Sequence, residues 1–186
     1  MNIPDHAKKV FEGIIFDVYQ WEQEMFDGSR ATFERLKRPG TVVVIPVIGD
    51  KLVLAREQQP GMAECFTLLG GRQEKNEEPL ETAKRELMEE AGLASDDWKL
   101  FKVYEPVYKI DWQIHAFVAR GCRKVAEQTL DAGEKIRLEE CSFDAFLEKA
   151  LSADFWEREV SNDLFRLKHE GRMDEFRKLL FVDSNF

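Results

Sequence analysis

Continuous and alternating runs of apolar residues predict a chain that is rich in β-strands. Residues 41–47 (Thr-Val-Val-Val-Ile-Pro-Val) are almost entirely apolar, as expected of a strand that is buried on both faces. A turn at Gly49-Asp50 leads into a second apolar run at residues 51–56. The pattern predicts further strands, in chain order, at residues 98–104, 110–119 and 136–138.

The N-terminal segment has the pattern of an antiparallel hairpin. Residues 11–38 contain an aromatic-rich arm with Tyr19 and Trp21, a turn at Asp27-Gly28, and a return through Phe33. We therefore divide the chain into a hairpin extension at residues 1–40 and a main domain at residues 41–186 that carries the C-terminal helices. No repeat or linker divides the chain further.

Helical periodicity predicts four helices, at residues 79–91, 143–151, 155–169 and 174–181. Strands and helices are mixed along the chain, and hairpins separate several of the strands. Such an order predicts an α/β protein in which helices cover both faces of a mixed sheet.

Composition and charge exclude several classes of function. The chain has 186 residues, of which 44% are hydrophobic, and this length suits one globular unit with a sizeable core. A net charge of −9 argues against nucleic acid and anionic membranes as partners. No run has the length of a membrane span or the pattern of a signal peptide. Three widely spaced cysteines, Cys65, Cys122 and Cys141, predict reduced thiols in a cytoplasmic protein.

The helix at residues 79–91 carries the strongest chemical signal. Pro79 suits its first turn and Gly92 suits its left-handed end. Four apolar residues form one stripe that would pack on the sheet: Leu80, Ala83, Leu87 and Ala91. The helix is therefore expected to hold its remaining, mostly charged, face away from the core.

Three carboxylates gather on one side of this helix. Glu86 and Glu90 are four residues apart and lie one above the other, with Glu89 beside them. Arg85 can pair with Glu89 or Glu81, but one cation does not neutralise three acids. Oxygen ligands of this kind favour Mg²⁺ or Mn²⁺, which accept substrate phosphates as further ligands. The alternative is a solvated acidic face with scattered ion pairs.

The spacing of the motif decides between these alternatives. Gly71, Glu77, the run Arg85-Glu86-Leu87, the pair Glu89-Glu90 and the final Gly92-Leu93 fill every signature position of the Nudix box. The chain therefore resembles the Nudix hydrolase family. That resemblance implies an α/β/α sandwich and Mg²⁺- or Mn²⁺-dependent hydrolysis of a nucleoside diphosphate linked to another moiety.

The resemblance also implies roles for individual residues. Glu86 and Glu90 would be metal ligands, Glu89 would be a ligand or a charge partner, and the Gly70 carbonyl would complete the metal shell. Arg85 would orient the acids. Glu77 would anchor the loop to the helix, and Gly71 would permit a tight turn.

The general base is expected from a loop nearer the C-terminus. Relatives that cleave ADP-ribose often carry a Glu-x-Glu pair there, and here the second acid is Glu134 while Ala132 replaces the first. Glu134 is the candidate for base or extra ligand and Asp131 is the second choice, although either fits a solvated turn. His115 could also be a base, but a structural histidine fits its apolar strand better.

The N-terminal hairpin resembles that of ADP-ribose and nucleotide-sugar pyrophosphatases, in which it usually builds a homodimer with aromatic residues on the base. Two arginines that are frequent in that branch are replaced here, and Arg35 and Arg56 are candidates to substitute for them. The candidate substrate contacts are Trp21, Glu34, Arg35, Arg56 and Arg72.

Three functions remain open at this point. The first is hydrolysis of nucleoside diphosphate sugars, with ADP-ribose ahead of ADP-glucose and GDP-mannose, giving a nucleoside monophosphate and a sugar phosphate. The second is clean-up of nucleoside triphosphates, which would release inorganic pyrophosphate. The third is a nucleotide sensor without turnover, although such a sensor would not need all of the acids.

Overall fold

A computed structural model describes residues 3–181. The strands are β1 (Lys8–Glu12), β2 (Asp17–Glu24), β3 (Arg30–Lys37), β4 (Thr41–Ile48), β5 (Lys51–Gln58), β6 (Cys65–Thr67), β7 (Leu93–Ala94), β8 (Asp97–Tyr104), β9 (Ile110–Asp111), β10 (Ile114–Arg120), β11 (Arg123–Lys124) and β12 (Lys135–Cys141). The helices are α1 (Pro79–Ala91), α2 (Phe143–Ala150), α3 (Arg158–His169) and α4 (Met173–Leu180).

The central sheet has the strand order β12-β5-β4-β10-β8, and β6 adds to β5. β4 and β10 run parallel, with Thr41 beside Ile114, whereas the other pairs along this order are antiparallel. The six residues from Val42 to Val47 are all buried, which explains the continuous apolar run of β4. The predicted mixed sheet is therefore confirmed.

Helices cover both faces of this sheet. On one face, Ala83 and Leu87 of α1 pack against alternate residues of β4, β5 and β10. On the other face, Phe146 of α2, Leu164 of α3 and Phe176 of α4 pack against the remaining alternate residues. The α/β/α sandwich is thus confirmed, and the two sides of each strand serve two separate apolar clusters.

The N-terminal segment forms a second sheet with the order β1-β2-β3-β9. The hairpin of β2 and β3 is present as predicted, but its first arm begins at residue 17 rather than residue 11. Residues 8–12 form a separate strand because the chain reverses between Glu12 and Asp17 and pairs back on β2. The boundary between an extension at 1–40 and a domain at 41–186 stays a prediction.

The single strand predicted at residues 110–119 was wrong. The chain breaks at Trp112 and Gln113, so β9 pairs with β3 while β10 pairs with β4 and β8. The Gln113 carbonyl accepts a hydrogen bond from the Thr41 N–H, and the Trp112 indole donates to the Thr41 hydroxyl. These contacts fix the break where the two sheets meet.

Other element boundaries differ from the sequence predictions in smaller ways. The strand expected at 136–138 extends over the seven residues of β12, because it pairs with the whole of β5. α3 begins at Arg158 rather than residue 155, because Phe155 forms a bridge with Phe66 and extends the chain there. Strands β6, β7 and β11 were not predicted, since each has only two or three residues.

Two further expectations concern the cysteines and the membrane. The three cysteines are buried and free, as predicted. Within residues 3–181, no helix has the length and apolar character that a bilayer span requires.

Candidate active site

α1 begins and ends where its sequence signals predict. Pro79 is its first residue, and the Glu81 carboxylate accepts a 3.3 Å hydrogen bond from the Glu78 N–H at the helix start. Gly92 ends the helix with a φ of 62°, and its N–H donates to the Met88 carbonyl. Ala83, Leu87 and Ala91 of the stripe are fully buried against the sheet, which leaves the carboxylates beside the preceding loop.

The Gly70-Gly71 loop lies directly against the acids of α1. The Gly70 N–H donates a 2.7 Å hydrogen bond to Glu90 Oε2. Gly70 has a φ of 152°, and an added Cβ would lie only 2.9 Å from Val43 Cα, so no other residue fits there. An added Cβ at Gly71 would lie 2.6 Å from Glu86 Cδ. The two glycines therefore let the main chain approach both carboxylates.

Arg85 is the organising cation of the site. Its Nε and Nη2 donate to the two oxygens of Glu77 at 3.0 and 3.1 Å. Its Nη1 donates to Glu86 at 2.9 Å and to Glu89 at 3.0 Å. The predicted pairing with Glu89 is present, whereas Glu81 is used at the helix start instead.

Glu77 joins the loop to the helix, in the place that the family resemblance implies. It accepts from the Thr82 hydroxyl at 2.8 Å and from the Glu74 N–H at 3.1 Å, in addition to Arg85. The hydrogen bonds from Arg85 are the main reason that the pKa of Glu77 is lowered to about 2. Glu77 is therefore ionised at all ordinary pH values and keeps Arg85 in position.

Glu90 is the most buried acid of the site, with 5% of its surface exposed. Within residues 3–181, no lysine or arginine forms an ion pair with it. Burial is the main reason that its pKa is raised to about 9, and the charges of Glu86 and Glu57 add to this while the Gly70 hydrogen bond opposes it. Burial also raises the pKa of Glu86. Burial thus favours the neutral form of these acids, and a cation placed beside them would favour the ionised form.

The residues fit a divalent cation in their chemistry. Their donors are all oxygens, and the Glu86 carboxylate lies so close to Gly71 that an added Cβ would be 2.6 Å from Glu86 Cδ. In the described part of the chain, no three His, Cys, Asp or Glu side chains already form a metal-ligand cluster. The acids are instead held by Arg85 and Gly70, and the ligand roles of Gly70, Glu86, Glu89 and Glu90 stay predictions.

Glu134 lies on the loop that precedes β12. Its carboxylate accepts a 3.2 Å hydrogen bond from the Asp131 N–H and so closes its own turn. Burial raises its pKa, and the charges of Asp131, Glu57 and Glu89 add to this effect. The role of Glu134 as a base or an extra metal ligand stays a prediction.

Glu57 is a functional candidate that the sequence analysis missed. It lies on β5, and its charge raises the pKa of Glu90 and of Glu134. The Thr67 hydroxyl donates to it at 3.0 Å. Strand alternation could have revealed it, because Val53 and Ala55 belong to the apolar cluster on the α1 side, and Glu57 continues their series.

The candidate substrate contacts fall in different places. Arg72 follows the glycine loop, and its carbonyl accepts a 3.2 Å hydrogen bond from Arg85 Nη2. Arg56 is on the other face of β5 from Glu57, with its guanidinium carbon 4.0 Å from the Phe66 ring centre and an ion pair to Glu64. The structure therefore brings Arg72, but not Arg56, to the carboxylate helix.

The hairpin candidates lie in the N-terminal sheet. The Trp21 ring is 5.9 Å from that of Phe33, and Glu34 accepts from Gln20 at 2.7 Å. Arg35 is 6% exposed, and its guanidinium carbon lies 5.2 Å from the ring centre of Tyr108. Within residues 3–181, neither Trp21 nor Glu34 hydrogen-bonds to α1, so their substrate roles stay predictions.

His115 has the surroundings of a structural residue. Its ring stacks on Phe117 at 6.4 Å, and burial lowers its pKa. Its Nδ1 is buried and has no hydrogen-bond partner within the described residues. Among those residues no acid of α1 shares a hydrogen bond with it, and the structural interpretation of His115 stays a prediction.

This combination of sandwich, glycine loop and carboxylate helix defines a class of hydrolases. The family model described as the NUDIX domain matches residues 37–164, which is more than half of the chain. The chain therefore belongs to the NUDIX family and is a Nudix hydrolase.

Several relatives and many solved structures are similar to the chain. ADP-ribose pyrophosphatase of Bacillus subtilis (strain 168) is 28% identical over 160 residues, covering 83% of this chain and 85% of the relative. The methanol dehydrogenase activator of Bacillus methanolicus is 29% identical over 147 residues, covering 76% and 79%. ADP compounds hydrolase NudE of Escherichia coli (strain K12) is 32% identical over 101 residues, covering 52% and 54%.

One of the similar solved structures is a crystal structure of an ADP compounds hydrolase. It superposes with a TM-score of 0.70 at 24% identity, covering 90% of this chain and 95% of the other. This similarity agrees with the sandwich described above and concerns the fold alone.

Proposed function

We propose that the chain hydrolyses the pyrophosphate bond of nucleoside diphosphate sugars with the help of Mg²⁺ or Mn²⁺, and that ADP-ribose is the first substrate to test. The observation that carries the proposal is Glu90, a buried acid without a cationic partner in the described chain, held against a glycine loop beside Glu86 and Glu89. The names of two relatives, an ADP-ribose pyrophosphatase and an ADP compounds hydrolase, support the substrate class.

The chemistry follows from what each residue can do. Glu86, Glu89 and Glu90 would hold the metal with the Gly70 carbonyl, and bound metal supplies charge neutralisation at the phosphates and a more acidic water. Glu134 accepts the proton of the attacking water, whose oxygen forms a bond to phosphorus. The bond from that phosphorus to the bridging oxygen breaks, and the products are a nucleoside monophosphate and a sugar phosphate.

Arg85 has a positioning role in this scheme. It holds Glu86 and Glu89 by hydrogen bonds while Glu77 fixes its own guanidinium from the opposite side. A bidentate arginine is suited to this because its donors form a rigid, planar fork. The carboxylates are thereby oriented before any ligand arrives.

The test is a substrate panel with identification of the products. The purified chain is incubated with Mg²⁺ or Mn²⁺ and ADP-ribose, ADP-glucose, GDP-mannose and nucleoside triphosphates. Nucleoside monophosphate plus sugar phosphate is the expected result, and Glu90→Gln should abolish it. Inorganic pyrophosphate from triphosphates alone would favour the clean-up activity, and binding without turnover would favour a sensor.

A further inference from the structure

Arg38 has an unusual environment for a charged residue. Its guanidinium carbon lies 4.5 Å from the ring centre of Trp112 and 5.6 Å from that of Phe16. Its Nη2 is 3.4 Å from the Thr41 hydroxyl, and its Nε is buried without a hydrogen-bond partner in the described residues. No carboxylate of residues 3–181 forms an ion pair with it. Arg38 is therefore a half-buried cation that lacks an anion.

Arg72 supplies a second cation at the same place. Its main chain forms a bridge with Thr41, the residue that Arg38 also contacts. Within the described chain, the Arg72 guanidinium makes no ion pair and no hydrogen bond. Burial is the main reason that the pKa of Arg38 is lowered, and the positive charge of Arg72 adds to this effect.

This pair of arginines adjoins the carboxylate helix. Arg72 directly follows Gly71, whose carbonyl accepts a 2.9 Å hydrogen bond from the Val42 N–H and where an added Cβ would meet the Glu86 carboxylate. The Arg72 carbonyl is held by Arg85 at 3.2 Å. The main chain of this loop therefore lies against the acids at Gly70 and Gly71. The next residue, Arg72, contributes its guanidinium to the arginine pair.

We infer that Arg38 and Arg72 form an anion site that binds a phosphate group of the substrate, beside the acids of α1. The inference rests on the proposed function for the identity of the anion. Phosphate oxygens match the planar fork of arginine, and the rings of Trp112 and Phe16 hold the Arg38 plane in place. Lysine would keep the charge at position 38 but would lose both the fork and the stacking.

The first experiment measures binding of inorganic pyrophosphate in EDTA by isothermal titration calorimetry. We expect Arg38→Ala and Arg72→Ala each to weaken binding about tenfold to a hundredfold, the range for lost hydrogen bonds to charged groups. Arg38→Lys should recover only part of this loss. The control is Arg177→Ala, which removes a guanidinium 4.2 Å from the Phe143 ring on α4, and it should bind like the wild type. Arg72 is exposed, so removing its side chain should change packing little.

The second experiment measures hydrolysis of the best substrate by the same variants. A rise in KM of about tenfold or more in Arg38→Ala supports the inference, as does competitive inhibition by pyrophosphate that this variant weakens. Unchanged pyrophosphate binding or an unchanged KM in Arg38→Ala overturns it and leaves the proposed function intact. If no nucleoside diphosphate sugar is hydrolysed but the variants lose pyrophosphate binding, the anion site stands and only the proposed function fails.

Discussion

The Gly70 N–H donates a 2.7 Å hydrogen bond to Glu90 Oε2, and this contact ties the loop before the helix to the most buried acid of α1. Gly70 also has a backbone conformation that other residues rarely adopt. The position of Glu90 is thus set from outside the helix as well as by the helix itself. The spacing of the acids along α1 could not by itself define this geometry.

Glu90→Gln should separate charge from structure. The amide oxygen can still accept the Gly70 hydrogen bond, so the thermal unfolding temperature should change little. Turnover should fall at least about a hundredfold, because the proposed metal loses an anionic ligand. Steady-state kinetics check this result, with the exposed Glu127→Gln as the control. A rate equal to that of the wild type would contradict the assignment of Glu90.

Gly71→Ala should displace the Glu86 carboxylate, because the new methyl group would lie 2.6 Å from Glu86 Cδ. We expect weaker binding of Mn²⁺, measured by electron paramagnetic resonance, together with lower activity. The control is Lys168→Ala, which changes an exposed residue on α3. Equal Mn²⁺ affinity in both variants would show that Glu86 does not need the space beside Gly71.

Glu134→Gln tests the base. Loss of a general base should lower kcat by about 10²- to 10⁴-fold with little change in Mn²⁺ affinity. The rise of kcat with pH that reports ionisation of the base should also disappear. Asp131→Asn is the comparison, because Asp131 is the alternative acid in the same turn. A large loss of Mn²⁺ affinity in Glu134→Gln would instead assign Glu134 as an additional ligand.

Glu157 should make the protein less stable as the pH rises. It is 9% exposed and accepts a 3.0 Å hydrogen bond from the Leu68 N–H, and burial raises its pKa to about 8. Between about pH 4.5 and 8 the folded state keeps a proton that the unfolded state releases, so the free energy of unfolding falls over this range. The fully developed loss is on the order of a few kcal/mol.

Urea denaturation at pH 5, 7 and 9 measures this effect. Glu157→Gln can still accept the Leu68 hydrogen bond but cannot ionise, so its free energy of unfolding should rise relative to the wild type from pH 5 to pH 9. A constant difference between the two proteins across that range would rule out titration of Glu157 as the cause.

The predicted homodimer can be tested at the turn between β1 and β2. Ile14 is 99% exposed and Phe11 is 59% exposed, which is the apolar surface that an interface on the hairpin would cover. Light scattering of the wild type should give twice the chain mass of 21.7 kDa. Ile14→Asp should shift the protein to monomer, while Phe165→Asp on α3 should not. A monomeric wild type would contradict the prediction.

The sequence predicted α1 with the same bounds that the structure has, because the signals at both ends are local. Pro79 starts the helix, Gly92 ends it, and the apolar stripe through Leu87 needs only the helical repeat. The partner of Arg85 was harder to predict. Its strongest contact is Glu77, which lies in the loop before the helix, where regular helical spacing does not apply.

The pattern of hydrophobic and polar residues also could not predict which strands pair with each other. Residues 110–119 look like one strand because alternation reports burial and not the identity of the neighbouring strand. Ile110 in fact pairs with Leu36 in one sheet, while Ile114 pairs with Thr41 in the other. Arg38 was missed for a similar reason, since its neighbour Trp112 is distant in sequence.

The parallel pairing of β4 with β10 has a consequence for how the protein folds. Thr41 must find Ile114, and the whole of α1 lies between them in the chain. Contacts of such large sequence separation form slowly, because a long loop has to close first. During synthesis, the central sheet on which α1 packs is therefore completed only after β10 has left the ribosome. A chain that stopped before Ile114 would lack β10 and would not assemble the active centre.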